Sequence, residues 1–235
     1  MAGDPYVYPG TDVLRNRFGI RDGAELARRE NDAATARLLQ LKTRPLAGRY
    51  DLPHLQAFHR HIFGDVYPWA GEIRTVAIAK DDLFALPQHI EPYLSSQLAQ
   101  LADENYLRGL TREPFIERLA HYLAEINSTH PFREGNGRTQ RAFVSQLAAG
   151  GGYRTAWERI DPGRNIKVSR AAHRGDERPM RDMLSDVLEI PEAAEARRLA
   201  AAALPSRPRR TPQQHAATAR RSDSPTYRAR HHRGR

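Results

Sequence analysis

His130-Pro131-Phe132-Arg133-Glu134-Gly135-Asn136-Gly137-Arg138-Thr139-Gln140-Arg141 is the stretch on which the reading of this chain turns. Pro131 disfavours helical backbone at the residue before it, so a helix arriving from the N-terminal side should stop near His130. A loop follows, and a new helix should begin near Asn136. Gly135 and Gly137 let the backbone turn sharply and approach a ligand closely. The first turn of that helix exposes unpaired N–H groups and a partial positive charge, which together make an anion site. Arg138 and Arg141, three apart, lie on neighbouring turns of one face, placed to reach the same polyphosphate. Glu134 is a lone carboxylate beside this cradle, where a magnesium ion bridging phosphates needs an oxygen ligand. His130 stands at the loop entrance, placed to take a proton from an incoming hydroxyl. Phe132, apolar in a polar loop, reads as an anchor to the core. The set describes phosphoryl or nucleotidyl transfer, where positioning and charge neutralisation supply most of the catalysis. Acyl transfer fits less well, because no Ser or Cys nucleophile is near.

Outward from this stretch the chain reads mainly as helices. Phe115, Leu119, Tyr122, Leu123 and Ile126 follow the helical period over Arg112 to Ser128, the most regular segment. Further helices are expected over Ala24 to Leu41, Leu52 to Phe63, Gln88 to Asn105, Asn136 to Gly150, Ile166 to His173 and Arg178 to Leu188, with an eighth over Ala193 to Ala203. Three glycines at 150–152 suit the stop of the helix that follows the loop. One segment differs. In GEIRTVAIAKDDLFAL, residues 71–86, Ile73, Val76 and Ile78 are β-branched and Asp81-Asp82 suits a turn, so a β-hairpin is expected from about Ile73 to Ala85.

Composition bounds the rest. The 235 residues are 40% apolar, enough for one domain with a real core. The absence of cysteine excludes a disulfide framework, a thiol nucleophile and a cysteine-ligated zinc site. The net charge of +9 is concentrated at one end: nine Arg and one Asp lie in residues 205–235, which leaves the body almost neutral. That end, rich in Pro, Arg, Ser, Thr and Gln, is expected to be a disordered tail beyond a domain spanning 1–204. It reads as a solvated end, a secretion or docking signal, or a weak, sequence-independent nucleic-acid contact with only Tyr227 to stack. Neither a secretory signal nor a membrane span is expected. His54, His59 and His61 do not share a helix face, so they read as packed or solvent-facing rather than metal ligands. Trp69 and Trp157 read as core residues.

HPFREGNGRTQR resembles the signature of the Fic (filamentation induced by cAMP) family, H-x-F-x-[DE]-G-N-G-R-x-x-R, with every specified position present. The resemblance extends from about Tyr6 to Leu188 and includes PWAGEIRTV before the expected hairpin. Tyr8-Pro9-Gly10-Thr11, Asn16 and Gly19-Ile20 are most similar to the bacterial Fic toxins of toxin–antitoxin pairs, and also to type IV secreted effectors. The resemblance implies an all-α Fic fold, a helical bundle with one small β-hairpin flap at about 71–87. It implies a protein adenylyltransferase that moves AMP from ATP, with Mg2+, onto a Ser, Thr or Tyr hydroxyl of a target protein. His130 would be the general base and Glu134 the magnesium ligand. Gly135, Asn136, Gly137, Arg138, Thr139, Gln140 and Arg141 would bind the nucleotide, with Arg138 on the β-phosphate and leaving pyrophosphate and Arg141 on the γ-phosphate. Lys80 and Asp81 are further candidates from the flap. Asn165 and His173 bound the stretch expected at the adenine. Thr75, Val76, Ile78 and Phe84 would dock the target's extended segment on the flap by strand addition.

Many members of that family carry an inhibitory helix, [ST]-x-x-x-E-[GN], whose glutamate pairs with the second signature arginine, here Arg141. Ser185 to Glu189 has the spacing but is followed by Ile190. Glu30-Asn31 and Glu104-Asn105 have the ending, but Leu26 and Gln100 occupy the hydroxyl positions. The expectation is therefore a separate small antitoxin. A type II DNA topoisomerase subunit is the family-level target, and the bacterial cytoplasm the expected location, with export as an effector the alternative. Two other readings stay open: a Fic-fold enzyme using UTP or another donor, and a nucleic-acid-associated binding protein working through the tail.

Overall fold

A computed structural model describes residues 4–79 and 83–192. Lys80, Asp81, the expected eighth helix and the basic tail lie outside the described residues. Among the described residues seven α-helices follow one another: α1 Gly23–Thr43, α2 Leu52–Phe63, α3 Pro87–Asp103, α4 Arg112–Thr129, α5 Asn136–Gly150, α6 Pro162–His173 and α7 Arg178–Val187. The starts of α1, α2 and α6 are each capped by an aspartate, Asp22, Asp51 and Asp161, whose carboxylate accepts a first-turn N–H. The one regular sheet among the described residues is a two-stranded antiparallel pair. Here β1, Arg154–Thr155, lies against β2, Leu188–Glu189, in the register Arg154 to Glu189.

α4 is the central post. Its apolar stripe places Phe115, Leu119 and Tyr122 at full burial, and it packs against α3, α5, α6 and α7. Where α5 ends, Gly151 lies so close to the Phe115 ring that a Cβ there would fall 2.3 Å from it. A second cluster joins α1, α2 and the N-terminal segment through Leu26, Ala34, Ile62, Phe63 and Trp69. In that segment Val7 and Leu14 form an isolated antiparallel bridge. Asn16 closes the next turn by donating to the Leu14 and Ile20 carbonyls and accepting from the Phe18 and Ile20 N–H groups.

The flap is less regular than its sequence suggests. Among the described residues, instead of a ladder from Ile73 to Ala85, one antiparallel bridge joins Ala79 to Leu83, and Phe84 N–H donates to the Ile78 carbonyl at 3.2 Å. What shapes the segment is Arg74, 1% exposed. Its guanidinium donates to Val76 and Ala85, one on each side of the flap, and to Thr129 and His130 at the end of α4. The Arg74 N–H also donates to the Pro131 carbonyl. Carbonyls left over at a helix end are normally satisfied by water or a cap. Here one side chain satisfies them and pins the flap at the same time.

His59 is the second tie. Fully buried on α2, it stacks on Phe132 with ring centroids 3.9 Å apart. Its Nε2 donates to the carbonyl of Glu134, and its Nδ1 accepts the Gly71 N–H. Burial holds the imidazole neutral, at about 4.

Arg74→Met leaves the four carbonyls it serves without their donor and should cost about 3 kcal/mol in urea unfolding. Arg74→Lys should recover only part of this, because an ammonium lacks the planar fork. For His59 the folded state binds its proton less tightly than the unfolded chain does. Its contribution is therefore complete above about 6.5 and lost as the pH falls toward about 4, on the order of 3 kcal/mol. Urea midpoints at pH 7.5 and 4.5 should diverge less in His59→Phe than in the wild type.

Candidate active site

α4 ends on a left-handed residue. His130 has φ 45° and ψ 64°, with its N–H on the Ile126 carbonyl. This is strained for a side chain other than glycine, and it throws the imidazole out of the helix line. Nδ1 lies 3.1 Å from the Asn127 carbonyl and donates to it, the tautomer that leaves the ring's lone pair on Nε2. Phe84 stacks flat on the ring, centroids 4.0 Å apart at 16°. Phe84 thus turns inward, 9% exposed, rather than outward to a target as expected.

The loop closes through backbone groups. The Asn136 side chain accepts the Phe132 N–H at 2.9 Å and donates to the Phe132 carbonyl at 2.7 Å. Its amide thus shapes the loop, while the second N–H of the same group stays available and the residue lines the cleft. Gly135 is required twice over: φ is +79°, and a Cβ would fall 2.3 Å from the Phe63 ring. Thr139 is fully buried and its hydroxyl donates back to the Gly135 carbonyl, so it supports the first turn of α5 and touches no cleft.

A cleft of about 350 Å3 lies at this helix start, within the usual size for a small-molecule site. His130, Glu134, Gly137, Gln140 and Arg141 line it from the loop and α5, Asn165 and His173 from α6, and Ile78 and Phe84 from the flap. Four expected site residues besides Arg138 are elsewhere. Gly135 and Thr139 lie behind the surface. Thr75 is tied to the N-terminal segment, its N–H and hydroxyl both on the Tyr6 hydroxyl. Val76 packs against the α1–α2 cluster.

Arg138 is the largest correction. It turns away from the cleft and forms an ion pair with Glu30 of α1, with its guanidinium 4.6 Å from the Phe63 ring centroid. Arg141 does the opposite. It lines the cleft and a second cavity of about 490 Å3 between α1 and α5. No carboxylate among the described residues pairs with it. Burial and the like charge of Arg138 lower its proton affinity. The near-matches to an inhibitory glutamate are engaged elsewhere: Glu30 with Arg138, Glu104 with Arg118, Glu189 with Arg154 and Arg159.

Glu134 is half-exposed at the cleft mouth. One carboxylate oxygen accepts the Gly135 N–H at 2.8 Å. A single accessible carboxylate beside a helix N-terminus suits a magnesium ion held mainly by phosphate and water. At the far end the buried Nδ1 of His173 has no hydrogen-bond partner. Arg133 and Trp157 are among the residues that face the cleft without having been anticipated. Arg133 is held by Asp4 at 2.9 Å, and Trp157, expected in the core, lines both cavities with its indole N–H on Ser145. The Arg133 position is variable in the signature, and the Asp4 contact spans most of the chain, so neither had a local signal.

Comparison with known proteins agrees with this architecture. The profile described as Fic/DOC family matches residues 49–148. The chain is 42% identical over 176 residues to the protein adenylyltransferase VbhT of Bartonella schoenbuchensis, aligning over 74% of this chain and 37% of VbhT. It is 43% identical over 158 residues to the probable protein adenylyltransferase Fic of Salmonella typhimurium, over 67% of this chain and 78% of that one. Among solved structures it resembles the BepC effector of Bartonella tribocorum, crystallised with bound AMPPNP. That match has a TM-score of 0.74 and 27% identity, covering 80% of this chain and 97% of that one. With the signature intact at 130–141, a helical fold shared with BepC and a relative 43% identical over most of its length, the chain belongs to the Fic/DOC family.

Proposed function

We propose that this protein transfers AMP from ATP to a hydroxyl of another protein and releases pyrophosphate. The observation that carries the proposal is Arg141, a largely buried guanidinium with no carboxylate partner among the described residues, opening onto the same cleft as His130. A desolvated cation without a counter-ion is costly to keep. A γ-phosphate offsets that cost, and a γ-phosphate on Arg141 lays the rest of the triphosphate along the start of α5. The amides there and the helix dipole favour anionic oxygens without reorganising.

In this reading the target hydroxyl reaches His130, whose Nε2 lone pair takes its proton. The hydroxyl oxygen bonds to the α-phosphorus, and the bond to the β-phosphate oxygen breaks. Pyrophosphate leaves toward Arg141. Glu134 would hold magnesium, which when bound neutralises charge on the phosphates. Arg138 adds positive charge from behind Glu134 rather than by contact. Asn165 and His173 are the adenine candidates, supported by the orphaned His173 nitrogen. The target's extended segment would pair along the flap, and its approach would meet Phe84 over His130.

A separate small antitoxin remains the regulator this reading favours. It is supported by Arg141, which has no carboxylate partner among the described residues, and by the cavity beside it, open between α1 and α5. A type II DNA topoisomerase subunit is the proposed target, and the bacterial cytoplasm the proposed setting. Among the described residues no helix is long and apolar enough to cross a membrane.

Purified protein with Mg2+ and a bacterial lysate should attach label to protein from α-labelled ATP and not from γ-labelled ATP. His130→Ala should reduce transfer at least about 100-fold, and Arg141→Ala by a similar factor. Labelling from UTP alone would replace the donor, and labelling from no nucleotide with ATP binding intact would sink the proposal. A chain ended at residue 204 should label as well as the full chain. Lost labelling there would give the tail a part in target capture.

A further inference from the structure

Glu30 is a carboxylate where the fold would otherwise place an apolar side chain. It sits on the buried stripe of α1, one turn from Leu26 and one from Ala34, and is 9% exposed. Buried carboxylates persist when paired and hydrogen-bonded, and Glu30 is both. One oxygen accepts from the Arg138 guanidinium and the other from the Tyr67 hydroxyl. Tyr67 is 1% exposed and stacks on Trp69, centroids 4.4 Å apart. The Glu30 head is thus clamped from both sides, and its reach toward α5 is set by the core.

Arg138 has a second carboxylate within reach. Glu134 lies in the loop four residues before it, its Oε1 3.8 Å from the guanidinium, at the edge of an ion pair and beyond a hydrogen bond. Opposite charges at that separation attract, so nothing but a competing partner keeps the gap open. In the structure Glu30 holds the guanidinium instead, and Glu134 stays half-exposed at the cleft mouth.

We propose that Glu30 is a positioning residue that draws Arg138 off Glu134, keeping the Glu134 carboxylate available to the cation that accompanies ATP. This rests on the reading of Glu134 as the magnesium ligand. Glu30 touches neither nucleotide nor metal and acts only through where it parks a positive charge. Without it, Arg138 closes on Glu134 and competes with the cation for the same oxygens.

The test is a binding measurement. The affinity of the α,β-methylene analogue of ATP is measured by calorimetry with and without Mg2+, and the ratio reports how much the cation contributes. Glu30→Gln, nearly the same shape, should shrink that ratio about tenfold, the size of one hydrogen bond to a charged group. Affinity without Mg2+ should stay level or tighten. Glu30→Gln combined with Arg138→Met removes the competitor and should return the ratio toward the wild-type value. A ratio unchanged in folded Glu30→Gln overturns the proposal, as does a double variant that stays depressed, which would make Glu30 a structural residue only. Glu134→Gln separates the two readings. If it collapses the ratio while Glu30→Gln does not, only the role of Glu30 falls. If it leaves the ratio untouched, the metal reading falls first. Should Glu30→Gln fail to fold, Glu30→Asp keeps the charge but shortens the reach and should shift the ratio the same way by a smaller factor. No shift there also overturns the proposal.

Discussion

A single buried guanidinium, that of Arg74, holds the two halves of the site to one another. The end of α4 delivers His130, and the flap delivers Phe84 and Ile78. These segments are far apart in sequence, and each has backbone carbonyls that no regular ladder serves. One planar fork satisfies both sets, so the position of the imidazole and the position of the flap are not independent. The stacking of Phe84 on His130 is the visible result. A left-handed residue at the end of α4 is tolerable because the carbonyls on either side of its turn are pinned from outside.

The opposite face of the loop is governed by packing. Beneath it Phe132 stacks on His59, Phe63 packs at a tilt against the same imidazole, and Asn136 returns two hydrogen bonds to Phe132. The first turn of α5 is therefore rigid before any anion arrives, and its amides need no rearrangement to meet one. Rigid amides, an arginine with no carboxylate partner among the described residues and the His130 imidazole share one cleft, and electrostatic preorganisation is the larger part of what phosphoryl chemistry asks of a protein.

Much of this was legible in the residues. The stop of α4 before Pro131, the start of α5 at Asn136 and the helical period of Phe115 to Ile126 follow from local rules, and the helix bounds match the expectation to within a few residues. The roles inside the loop were harder. A pattern of residue types cannot distinguish an Asn that grips phosphate from one that closes a loop, nor an arginine aimed at the cleft from one turned to α1. Those distinctions depend on Phe132, Glu30 and Tyr67, which are near only after folding. Arg74 was invisible for the same reason. An arginine in a β-branched run reads as a solvated side chain, and only the carbonyls converging on it make burial favourable. The flap looked like a ladder because β-branched residues favour strands. Side-chain hydrogen bonds supply instead what backbone pairing would have.

Gly135 leads to a different kind of conclusion. Its lack of a side chain answers to the Phe63 ring and a positive φ, not to a ligand alone. Phe132 and Asn136 are likewise held by folding. The signature is thus a composite of two selective pressures. A descendant that abandoned the reaction but kept the fold would still need those three positions, while Glu134 and Arg141 would be released to drift. Erosion at those two positions, against an unchanged frame of Phe, Gly and Asn, is the trace by which a lapsed member of such a lineage would be known.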